Sequence, residues 1–211
     1  MPHKLPRGLY ALLDDSVRAE LPLIEKARAV IEAGVGVLQL RLEQTNDRLA
    51  LPLIREVLAL AASRGVKVIV NDRVDLALAA GAHGVHLGAD DLPVDVARRL
   101  LGPDALIGAT TRSLAQIEEA QALGADHVGL GPIFSTTTKV VAHPPLGLEV
   151  FARIARRSPL PVVGIAGITL ATIGQVGAAG AWGAAVASDL LNADDLVSRA
   201  RALQGAFSGS R

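Results

Sequence analysis

The chain has 211 residues, half of them hydrophobic, which is enough to bury one large core and somewhat long for two. Lysine plus arginine and aspartate plus glutamate each number 21 and aromatic residues make up only 2%. No global field therefore exists to attract nucleic acid or an anionic membrane, and stacking platforms for single strands are not expected. Cysteine is absent, which excludes disulfides, thiolate metal sites and a cysteine nucleophile and points to a cytoplasmic protein.

No apolar run reaches the roughly 18 residues of a membrane span, and the opening MPHKLPRG carries none of the features of a secretory signal. Along the chain, short apolar or β-branched runs alternate with segments of helical period, the pattern of repeated βα units. A strand over Leu9 to Leu13 leads into a helix over Leu21 to Ala33, stopped at Gly34. The next pair is Val37 to Arg41 and Asp47 to Ser63, stopped at Gly65. Strands at Val68 to Asn71 and Gly84 to Leu87 follow, then a helix over Val94 to Leu101. Leu106 to Ala109 pairs with a helix over Leu114 to Leu123, stopped at Gly124, and His127 to Leu130 with Leu148 to Arg156. Val162 to Ile165, a run closed by Gly180, Ala184 to Ala187 and a helix over Asp195 to Gln204 complete the order. The tail GAFSGSR reads as loose.

Eight such runs, spaced by about 25 residues, predict one (β/α)8 barrel domain over the whole chain, with the barrel at about residues 8–204. A doubly wound open sheet is the alternative, and the absence of GxGxxG after the first run in LLDDSVRAE counts against it.

In such a barrel, function gathers where the strands end. Period-two alternation puts Gln39, Arg41 and Glu43 on one side of the second run. Asn71 and Asp72 end the third, His86 and then Asp90 and Asp91 follow the fourth, and Thr110 ends the fifth. After the sixth comes GLGPIFSTTTK, where hydroxyls at Thr136, Thr137 and Thr138 beside Lys139 suit a phosphate or pyrophosphate. Main-chain amides at Gly167, Ala187 and Ser188 could cradle a second phosphate. Asp72 and Asp91 could jointly hold one Mg²⁺, or each could cap the helix that follows it. His86, His127, Tyr10 and Trp182 read as structural residues of the barrel.

These blocks resemble the thiamine phosphate synthase family, with the thiazole tautomerases as near relatives. The likeness runs from about Leu9 to Leu203 and rests on LQLR, NDRVDLALAAGAHGVHLGADDLP, LIGATTRS, GADHVGLGPIFSTTTK, PLGLE, VVGIAGI and AAGAWGAAVAS. It implies a barrel that joins hydroxymethylpyrimidine pyrophosphate to thiazole phosphate, giving thiamine phosphate and pyrophosphate. It also implies roles: Gln39, Arg41, Asn71 and Lys139 on the pyrophosphate, Asp72 and Asp91 on Mg²⁺, and Thr110 where the family usually has serine. Thr136, Thr138, Gly167 and Ser188 match the thiazole phosphate site. Arg41, Lys139 and Thr110 are the expected catalytic residues, and the expected partners are small phosphorylated substrates, with a homo-oligomer compatible and neither nucleic acid nor membrane.

Three positions depart from the family pattern. Glu43 stands where lysine is usual, Thr110, Thr111 and Arg112 replace a serine-x-histidine, and Ala166 with Gly167 replaces a double glycine. The lost histidine speaks against tautomerase chemistry. Glu43 leaves a thiazole tautomerase-like enzyme or a weakly active, thiamine phosphate-binding relative as the alternative, with Glu43 expected to face inward, to pair with an arginine such as Arg48, or to approach the metal.

Overall fold

The computed structural model describes residues 5–136 and 143–209. Parallel strands β1 (Gly8–Asp14), β2 (Val37–Arg41), β3 (Lys67–Asn71), β4 (Gly84–Leu87), β5 (Leu106–Thr111), β6 (His127–Leu130), β7 (Val162–Gly164) and β8 (Gly183–Val186) form one sheet. The sheet runs in chain order and closes through β1 on β8, with Gly8 opposite Gly183 and Tyr10 opposite Ala185. Closure of β8 on β1 excludes the open doubly wound sheet.

Helices α1 (Leu23–Glu32), α2 (Asp47–Ala62), α3 (Val74–Ala80), α4 (Val94–Leu101), α5 (Leu114–Ala122), α6 (Gly147–Ala155), α7 (Ile173–Ala178), α8 (Ser188–Leu191) and α9 (Leu196–Ser208) surround it. Start signals are local: Asn46, Ser113 and Asp195 accept from the amides of Leu49, Gln116 and Ser198. Gly34, Gly65, Gly124 and Gly180 all take left-handed backbone where the sequence asks for helix stops.

Alternation along each strand sorts the side chains into two cores. Outward residues such as Leu9, Leu38, Val68, Val85, Ile107, Val128 and Ala184 pack under the helices. Inward Tyr10, Val37, Ile69, Leu106, Val163 and Ala185, with Leu5, plug the barrel from below. The polar ends of the strands therefore face a space that this plug closes from beneath.

The helices α3 and α7 are expected from sequence only as a helix following Asp72 and a run stopped at Gly180, without bounds, and α8 is not expected at all. At seven, six and four residues they are too short for a 3.6-residue period to stand out against neighbouring apolar strands. The tail also differs from expectation: α9 continues to Ser208 because Phe207 buries its ring beside Leu203 and Ala200. Of the expected loose segment, only residues 210–211 lie outside the described residues.

Candidate active site

The carboxyl ends of the strands surround a cavity of about 700 Å³. From β2 come Gln39 and Arg41, 2% and 9% exposed. The Gln39 amide donates to the Tyr10 hydroxyl at 3.0 Å, which sets its orientation. Tyr10, read from sequence as packing alone, thus also lines the cavity, and burial pushes its phenol pKa up, so it stays a neutral hydrogen-bonding group.

Arg41 is held between two carboxylates. Its Nε lies 3.5 Å from Asp14 Oδ2, and its Nη2 pairs with Glu43. Asp14, 2% exposed, is itself fixed by the Ser16 amide at 2.8 Å and hydroxyl at 2.5 Å. Buried Lys26 donates to the carbonyls of Asp14 and Val17, and its pKa is lowered by loss of water and partly restored by Asp14. Asp15 then ties the loop after β2 to that after β1, accepting from Glu43 N at 3.2 Å, Gln44 N at 2.9 Å and the Thr45 hydroxyl at 2.9 Å. Glu43 therefore does not take Arg48 as its partner. It finds Arg41, two residues away on the face that alternation assigns to both.

Asn71 ends β3 and Asp72 follows it, and both line the cavity, Asp72 with a left-handed backbone at φ 61°. The N-cap of α3 is Arg73, not Asp72, and the N-cap of α4 is Pro93, not Asp90 or Asp91. Asp91 instead accepts from the Gly88 amide at 2.6 Å, closing the loop after β4. Gly88 and Ala89 line the cavity; Asp91 stands behind them. His86 Nε2 and Thr110 Oγ1 are 3.0 Å apart across β4 and β5, and both line the cavity.

Beneath them His127 is fully buried with neither ring nitrogen paired, and burial with the nearby His86 lowers its pKa to about 3. Room for it comes from Gly108, where a Cβ would lie 2.4 Å from His127 Nε2 and 2.5 Å from His86 Nδ1. The two histidines read as structural thus line the cavity, and the signal that could have shown it is the glycine opposite each of them in the strand register.

Thr136 lines the cavity, while Thr137, Thr138 and Lys139 lie outside the described residues. Gly167 has φ 69° and a Cβ there would sit 2.4 Å from the Ser135 carbonyl, so only glycine lets these two loops meet. Ala166 is also left-handed, at φ 69°, which accounts for a glycine preference at that position. Ala187 and Ser188, at the end of β8, line the same cavity.

Among the described residues, no three histidine, cysteine, aspartate or glutamate side chains gather to hold a metal. The Asp72 and Asp91 carboxylates offer hard oxygen donors, and Asp91 keeps Oδ1 beyond its bond to Gly88. Hard carboxylate oxygens of this kind suit Mg²⁺, which keeps several waters and completes its shell with substrate phosphate oxygens. Among the described residues no helix is long and apolar enough to cross a membrane.

The sequence profile of the thiamine monophosphate synthase family matches residues 9–190. A thiamine-phosphate synthase of Myxococcus xanthus is 52% identical over 100% of this chain and 96% of its own length. One from Anaeromyxobacter dehalogenans is 50% identical over 97% and 89%. The structure of a thiamine phosphate pyrophosphorylase from Pyrococcus furiosus superposes with a TM-score of 0.86 at 32% identity, covering 99% of this chain and 98% of that one. With its closed eight-stranded barrel and its rim cavity, the chain belongs to the thiamine monophosphate synthase family.

Proposed function

We propose that this protein is a thiamine-phosphate synthase, a transferase that joins hydroxymethylpyrimidine pyrophosphate to thiazole phosphate. The observation that carries the reading is the convergence of Gln39, Arg41, Asn71, Asp72, Thr110, Thr136, Gly167, Ala187 and Ser188 on one cavity. In the reaction the bond between the pyrimidinylmethyl carbon and the pyrophosphate oxygen breaks, its electron pair leaving with pyrophosphate. The thiazole nitrogen lone pair forms the new bond to carbon. No protein nucleophile takes part, so the tasks of the site are neutralising the leaving group and aligning the acceptor.

Arg41 and Lys139, with Gln39 and Asn71, take the leaving pyrophosphate. Thr110, oriented by His86, holds the pyrimidine substrate in place. Thr136, Thr138, Gly167, Ala187 and Ser188 hold the thiazole phosphate. Asp72 and Asp91 would hold Mg²⁺, which when bound supplies further positive charge for the departing pyrophosphate. We further infer a cytoplasmic location, consistent with a chain that has no cysteine.

Incubation of the purified protein with both phosphorylated substrates, with and without Mg²⁺, tests the reading. Thiamine phosphate and pyrophosphate are expected in equal amounts, and only with the metal. Release of pyrophosphate without thiamine phosphate refutes the synthase reading, and equal turnover in a chelator refutes the metal site.

A further inference from the structure

Two guanidinium groups, those of Arg41 and Arg112, line the cavity among the described residues, and their surroundings differ. Arg41 is met by two carboxylates, Asp14 and Glu43. Arg112 follows β5 directly, and no carboxylate of the described residues lies within ion-pair distance of it. Its Nη1 donates to the Gly131 carbonyl at 3.3 Å and its Nη2 to the Pro144 carbonyl at 3.1 Å. Its own main-chain amide is held by Gln116 Oε1 at 2.7 Å.

Gly131 and Pro144 stand at the two ends of the connection between β6 and α6, so the guanidinium is fixed across the base of that loop. A guanidinium carries five donors in a planar fork and stays charged at any physiological pH. Two carbonyls occupy two donors and cancel no charge. A cation fixed beside a cavity and lacking a counterion favours an anionic occupant, and little side-chain freedom remains to be lost when one binds.

We propose that Arg112 is a further substrate-binding residue, whose uncompensated charge and remaining N–H groups take a phosphoryl group of one of the two substrates. This rests on the synthase reading.

The test titrates inorganic pyrophosphate and inorganic phosphate calorimetrically into the wild type, Arg112→Gln and Arg112→Lys, and measures KM for each substrate. Arg112→Gln is expected to weaken one anion by roughly tenfold or more. It should also reduce the salt dependence of that binding, and Arg112→Lys should restore most of the affinity. A loss for pyrophosphate with a raised KM for the pyrimidine substrate assigns Arg112 to the leaving group. A loss for phosphate with a raised KM for the thiazole substrate assigns it to the acceptor.

Unchanged affinity for both anions in a folded Arg112→Gln protein overturns the proposal, as does a wild type that binds neither. Should that variant not fold, a wild-type crystal with pyrophosphate and phosphate decides, since anions no nearer than about 4 Å to the guanidinium overturn it equally. A wild type that binds the anions through Arg112 yet makes no thiamine phosphate refutes the synthase reading and leaves the Arg112 site standing.

Discussion

Replacing Glu43 by glutamine should tighten the binding of the pyrophosphate substrate, because the Glu43 carboxylate already occupies a face of Arg41. At about 4 Å and an effective dielectric near 20, such a pair attracts by about 4 kcal/mol, an upper bound. The Glu43 side chain is 50% exposed, so water and ions screen the pair and its net strength falls toward about 1 kcal/mol. An incoming pyrophosphate must displace this carboxylate and then lie near it. A total of about 1.4 kcal/mol corresponds to tenfold in affinity.

Glu43→Gln is accordingly expected to lower KM for the pyrimidine pyrophosphate about tenfold. Inhibition by inorganic pyrophosphate should strengthen in parallel, and Glu43→Lys should act further in the same direction. The gain should shrink as salt rises, since the Glu43 side chain is half exposed. The assay is steady-state kinetics at several ionic strengths, with a fluorescent thiamine readout. A higher KM in Glu43→Gln would refute the reasoning, for Glu43 would then be orienting Arg41 for substrate and not competing with it.

Folded His127 takes no proton until about pH 3, whereas its ordinary value is 6.5. Below pH 6.5 the unfolded chain therefore binds the extra proton, and stability falls with pH by up to about 1.4 kcal/mol per pH unit. Chemical denaturation between pH 7 and pH 4 should show a flatter loss in His127→Gln, and an unchanged slope would contradict a buried neutral imidazole. Gly108→Ala would press a methyl group against His127 and His86, and should cost about 1–3 kcal/mol of stability. Thermal melts check this; a variant as stable as the wild type would mean that the two rings are free to move.

How much was legible varied with the length of the signal. Alternation in VLQLR placed Gln39 and Arg41 on the cavity side and Leu38 and Leu40 under the helices. It also placed Glu43 beside Arg41 without naming the partner, because spacing states a face and not which of several charges a flexible carboxylate will choose. Asp14 went unread as a buried charge, since LLDDS looks like any polar strand end until Ser16 and Arg41 are seen to satisfy it. His86 and His127 looked structural because the glycine opposite each, Gly108, is identified only once the strand register is known. Thr138 and Lys139, expected from sequence to bind phosphate, lie outside the described residues.

By itself the sequence determined the eight apolar runs, the helix stops at Gly34, Gly65, Gly124 and Gly180, and the polar residues at the strand ends that line the cavity. These follow from local periods and backbone preferences that a few neighbouring residues decide. Only the tertiary structure decided that β8 closes on β1, and that Ala166 bears a left-handed backbone between two packed loops. It alone left Arg41 doubly countered and Arg112 not, because those contacts join residues from separate βα units whose distances exist only once the barrel has closed.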